Sequence, residues 1–89
     1  MIPTEKLTGK QIVAARGLLD IKQSDLAEAA DVAKLTIIKL ENGQVRPHLS
    51  TMEKIRSVLE SRGIEFTNGD GIGVRLRYTQ ASDQKPSAP

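Results

Sequence analysis

The sequence predicts a mainly α fold, a compact domain of four helices followed by a short C-terminal β-hairpin. Two observations carry this reading. Apolar residues recur at helical spacing from Gly9 to Arg62, and after Gly63 the period changes to strict alternation in "IEF" and "GVRLR". The segment between those two runs contains Asn68-Gly69 and Asp70-Gly71, the strongest short hairpin signals. The expected organisation is a helical domain over 1–63, a hairpin extension over 64–78 and a polar, Pro-containing disordered tail over 79–89.

Residues 1–7 read as a loose leader. Thr8 is placed to cap a first helix over "GKQIVAARGLLD", with Ile12, Ala15 and Leu19 as its buried stripe. Gly17 weakens that helix by roughly 1 kcal/mol relative to alanine. A second helix covers about Gln23–Ala30, where Leu26, Ala27 and Ala30 share one face. Asp25 and Glu28 point outward, toward the positive end of the helix dipole. The chain must turn sharply at Asp31, and aspartate is one of the few non-glycine residues that tolerate the left-handed conformation.

A third helix covers about Lys34–Asn42. At about 100° per residue, Lys34, Leu35, Ile38 and Lys39 form one continuous arc, while Thr36, Ile37, Leu40 and Glu41 form the other. Ile37 and Leu40 are the core residues, so the mixed basic and apolar arc faces outward. Gly43 suits a C-cap, and Pro47 keeps "QVRPHLS" out of a helix. The fourth helix runs roughly Leu49–Arg62, with Met52, Ile55, Val58 and Leu59 inward and Gly63 ending it. Ser50 and Glu53 have capping-box spacing, which allows its start to slip by one residue.

Composition narrows the function. A chain of 89 residues buries a small core, enough for a helical unit and too little for a deep catalytic cleft. With no cysteine there is no disulfide framework, thiolate zinc site or cysteine nucleophile. The N-terminus has no apolar signal core and no run approaches a membrane span, so a soluble, cytoplasmic protein without membrane contact is expected. The net charge of +2 is too weak to argue nucleic-acid binding by itself. One Phe, one Tyr and no Trp disfavour single-strand binding by base stacking. His48 is a solitary histidine without a carboxylate or cysteine cluster, and no cofactor site is apparent. Gly69, Gly71 and Gly73 are followed by a strand-like segment, whereas a nucleotide-binding loop requires a helix there.

The stretch "QSDLAEAADVAKLTIIKLENG", Gln23–Gly43, resembles the DNA-binding core of the Cro/cI-type, XRE-like helix-turn-helix family, the lambda-repressor-like domains. The matching features are "QSDLAEAA", Val32 and "TIIKLENG", and the resemblance extends over residues 8–62. Many short stand-alone members also finish with a segment similar to "GIEF…GVRLR". Two departures bear on stability more than on function. Asp31 stands where the family usually carries glycine, and Ala33 stands where it often carries a hydroxyl cap worth about 1 kcal/mol.

The resemblance implies a bacterial-type transcriptional regulator that binds double-stranded DNA as a homodimer and is not an enzyme. The helix from Lys34 would lie in the major groove. Lys34 and Lys39 suit guanine acceptors there, and Leu35 and Ile38 suit the thymine methyl. Gln23, with Ser24 beside it, occupies the family's phosphate-binding position, while Asn42 and Arg46 resemble its second phosphate clamp. With Thr36, these residues make the candidate DNA-binding set. The family pairs the positions of Arg16 and Glu41 as a structural link between helices 1 and 3. A different reading of the same fold is an antitoxin-like protein whose main partner is a toxin. The apolar face of the hairpin needs a cover, either the helical domain or strand edges paired across a two-fold axis, and the latter is expected to make the dimer.

Overall fold

A computed structural model describes residues 2–77. Tyr78 and the tail expected over 79–89 lie outside the described residues. The chain runs from a 3-10 turn at Thr4–Lys6 through α1 (Gly9–Leu19), α2 (Gln23–Ala30), α3 (Lys34–Glu41) and α4 (Leu49–Ser61) to β1 (Ile64–Thr67) and β2 (Gly73–Leu76).

Thr8 opens α1 with a closed capping box. Its Oγ1 accepts from the Gln11 N–H at 3.3 Å, and Gln11 Oε1 accepts from the Thr8 N–H at 3.0 Å. At the other end Asp20 adopts the left-handed conformation (φ 57°), and Ile21 N–H reaches back to the Arg16 carbonyl at 3.2 Å. Asp31 ends α2 in the same way (φ 58°), with Val32 N–H on the Ala27 carbonyl at 3.0 Å. Gly43 (φ 74°) repeats the closure after α3. For α4 the N-cap is His48, without a side-chain cap bond, so the box suggested by Ser50 and Glu53 does not form.

Ile12, Leu26, Ile37, Met52, Ile55 and Leu59 are fully buried and join all four helices in one core. Helices α1 and α3 cross at backbone distance. A Cβ at Gly9 would stand 2.1 Å from the Leu40 carbonyl oxygen, so only glycine admits this crossing.

The loose leader expected over residues 1–7 is corrected: Ile2 and Leu7 are core residues. The reason is tertiary. Arg56 Nη1 donates to Thr4 Oγ1 at 2.9 Å, and Arg46 donates to the carbonyls of Thr4, Glu5 and Leu7. A three-residue turn is too short to carry a periodic signal, and its partners lie some forty to fifty positions away.

The hairpin pairs Ile64 with Leu76 and Phe66 with Val74 in antiparallel register. Ile64 and Phe66 are buried, and Val74 and Leu76 pack against the same core, so the chain's own helices cover this face. Gln11, itself buried, locks the hairpin to α1 by donating from Nε2 to the carbonyls of Thr67 (2.9 Å) and Gly73 (3.0 Å). On the outer face Glu65 pairs with Arg77 and Arg75, which hold its carboxyl below the usual carboxylate range.

Candidate nucleic-acid interface

The packing of α2 on α3 determines what α3 can present. Leu26, Ala27 and Ala30 from α2 are buried with Ile37 and Leu40 from α3. Rotating those two residues inward leaves Lys34 and Leu35 exposed and Ile38 and Lys39 half-buried. Leu35 is 56% exposed, unusual for a leucine on a helix whose other large apolar positions are buried or half-buried.

Beside this surface lies an open groove of about 640 Å³ between α3, the preceding turn, the α3–α4 loop and the start of α4. Val32, Leu35, Val45 and Pro47 supply its apolar lining, and Lys39, Arg46, His48 and Lys54 bring nitrogen groups to it. Thr36 also lines the groove and is half-buried, so it belongs partly to the outer surface although the helical wheel sets it on the inner arc. Of the candidate set, Leu35, Thr36, Lys39 and Arg46 meet at this groove. Lys34 begins α3, Asn42 caps its end, Ile38 is half-buried beside them, and Gln23 and Ser24 open α2.

Two arginine contacts fix this surface. Arg16 grips Glu41 with both ends of its fork, Nε to Oε2 at 2.7 Å and Nη2 to Oε1 at 2.8 Å. The third donor, Nη1, reaches the Ile21 carbonyl at 3.2 Å. Hydrogen bonding to Glu41 holds the Arg16 guanidinium above its ordinary pKa. This pair joins α1 to the end of α3, as the resemblance implied. Gln23 adds to it, because its Nε2 donates to Glu41 Oε1 at 2.9 Å. An amide nitrogen has two hydrogens, so one stays free for another acceptor.

Arg46 is exposed, but its guanidinium is already engaged. Nη1 donates to the Leu7 carbonyl at 2.6 Å, and Nη2 to those of Thr4 and Glu5 at 3.0 and 2.9 Å. Among the described residues all its partners are neutral carbonyls, with no carboxylate paired to its charge and no acceptor on Nε–H. Its side chain is therefore pinned in place.

Sequence reasoning missed Val45, His48, Thr51 and Lys54 as neighbours of this surface. A signal existed for two of them. Thr51 and Lys54 are three apart on α4, away from the inward Met52 and Ile55.

Among the described residues no group of three or more His, Asp or Glu gathers that could hold a metal ion. No helix among the described residues is long and apolar enough to cross a membrane. The arrangement brings hydrogen-bond donors, cations and apolar atoms together along α3 and the groove beside it. A helix-turn-helix family model matches residues 12–66. No curated protein matches the chain.

Proposed function

From the fact that the chain belongs to the Cro/cI-type helix-turn-helix family of DNA-binding transcriptional regulators, we propose that it reads a specific duplex sequence by laying α3 in the major groove. The exposed Leu35, set in a groove beside Lys39, carries this reading. Water is a poor partner for that leucine, whereas a base edge offers a thymine methyl beside guanine acceptors. Lys34, Leu35, Thr36, Ile38 and Lys39 are assigned to the groove. Gln23 and Ser24 are assigned to a phosphate at the start of α2, where free backbone N–H groups favour anions. Asn42 and Arg46 are assigned to the phosphates on the other side.

A dimer acting in the bacterial cytoplasm is part of the same proposal, since two copies reading half-sites about 34 Å apart double the base contacts. The experiment is selection of bound duplexes from a random pool, followed by titration at one salt concentration. The expected result is an enriched motif bound about 10³-fold or more tighter than random duplex. Equal affinity for all sequences would reduce the protein to a nonspecific DNA binder.

A further inference from the structure

Helix α1 is apolar on both sides. Ile12, Ala15 and Leu19 face the core, but Val13, Ala14, Gly17 and Leu18 form a second apolar face that lies open. Val13 is 42% and Leu18 46% exposed. A helix normally turns its apolar residues toward a partner element and its polar ones to water. Gly17 compounds the problem. Glycine weakens a helix interior, and a Cβ here would meet nothing within 4 Å. Nothing in the described chain requires glycine at this position.

The charges at the ends of this face are also misplaced for a lone helix. Lys10 lies in the first turn of α1, at the positive end of its dipole, and Asp20 caps the negative end. Both are exposed, and neither makes a salt bridge within the described residues.

We propose that this face binds a second copy of the chain, with the two α1 helices antiparallel about a two-fold axis. One register satisfies every feature. Setting Val13 against the partner's Gly17 puts the axis level with Ala15, and the same axis sets Lys10 beside the partner's Asp20. Each charge then faces an opposite charge and the favourable end of the partner's dipole. The missing side chain at Gly17 becomes the notch that receives Val13, and Ala14 allows the backbones to approach. Such a contact is self-complementary, as a two-fold interface must be.

The hairpin packs against α1. Ile72, 58% exposed, adjoins Gly73, whose carbonyl Gln11 holds. An eleven-residue helix offers only about 16 Å of contact, which makes a weak interface. The inference rests on the dimer proposed above and names its surface, but it does not depend on how DNA is read.

Sedimentation equilibrium of the full chain without DNA, at about 10–500 μM, tests it in the range suited to so small a contact. The intact chain should associate reversibly. Gly17→Leu should weaken association at least about tenfold while keeping or raising the melting temperature, because leucine is the better helix former. Lys10→Glu should also weaken association, and adding Asp20→Asn should recover part of the loss.

The chain has no cysteine, so introduced thiols report cleanly. An equimolar mixture of Val13→Cys and Gly17→Cys proteins should form a mixed disulfide faster than either protein links to itself. A monomer across the whole range, association unchanged by Gly17→Leu, or no preference for the mixed disulfide would overturn the proposal. Binding of the same variants to a single half-site duplex should stay unchanged. Loss of wild-type half-site binding would count against the DNA reading and leave the sedimentation result standing.

Discussion

Gln23, the first residue of α2, donates a hydrogen bond to Glu41, the last residue of α3, at 2.9 Å. That carboxylate also takes two bonds from Arg16, so a single side chain links α1, α2 and α3. The element proposed to read bases and the residue proposed to hold a phosphate are therefore positioned by one group that needs no contact with DNA.

Glu41→Ala should consequently act on stability and on affinity together. It strands a guanidinium whose side chain is only 19% exposed. The cost should be about 2–4 kcal/mol, somewhat under the fully buried range because part of Arg16 reaches water. Urea unfolding measures that cost. Gln23 is released as well, so affinity should fall evenly across sequences while the preferred motif stays the same. A variant of full stability with a new preferred motif would move Glu41 into the reading surface.

The groove separates base readers from backbone holders. Lys39→Ala and Leu35→Ala should each weaken binding to the selected motif by about 1–3 kcal/mol and weaken random duplex less. Lys54→Ala, on the far rim of the groove, should weaken both alike. Titrations on the two duplexes at one salt concentration distinguish these outcomes. Equal losses from Lys39→Ala would make it a phosphate contact.

Arg46→Ala should show two effects, because its guanidinium both carries a charge that no acid among the described residues pairs and ties the carbonyls of Thr4, Glu5 and Leu7. The salt slope of DNA binding should fall by about one unit. Stability should also fall by about 1–2 kcal/mol, as the Leu7 and Thr4 carbonyls lose a charged donor. An unchanged slope with reduced stability would leave Arg46 a purely structural residue.

The four helices were visible in the sequence because each repeats an apolar face over eight or more residues, and Asp31, Gly43 and Gly63 mark where the last three end; the left-handed turn at Asp20, which the sequence reading places inside the first helix, was not. The outward arc from Lys34 followed from the same geometry, and the Arg16–Glu41 link from the family resemblance. What escaped were contacts with no local period. Leu7 is buried because Arg46 and α4 hold the N-terminal turn in place, and nothing near Leu7 in the sequence says so. Gln11 looks like an ordinary polar helix residue, yet its amide holds a hairpin more than fifty residues away. Gly9 and Gly17 are indistinguishable by propensity, but only the first touches another backbone.

That difference yields the last prediction. Gly17→Ala adds a Cβ in open space on an exposed helix, so it should stabilise the monomer by about 0.5–1 kcal/mol. Gly9→Ala has the same local benefit but drives its Cβ into the Leu40 carbonyl and the Glu41 backbone. Helix α3 must then move away from α1, stretching the Arg16–Glu41 pair and shifting Leu35 and Lys39 together. It should lose at least about 1–3 kcal/mol of stability, the usual cost of overpacking. Because α3 moves as a unit, binding to the selected motif should fall more than binding to random duplex. Thermal unfolding at low protein concentration measures the first effect, and paired titrations measure the second. Equal melting temperatures for the two variants would mean that α1 and α3 do not meet at Gly9, and the placement of the reading helix would have to be redrawn.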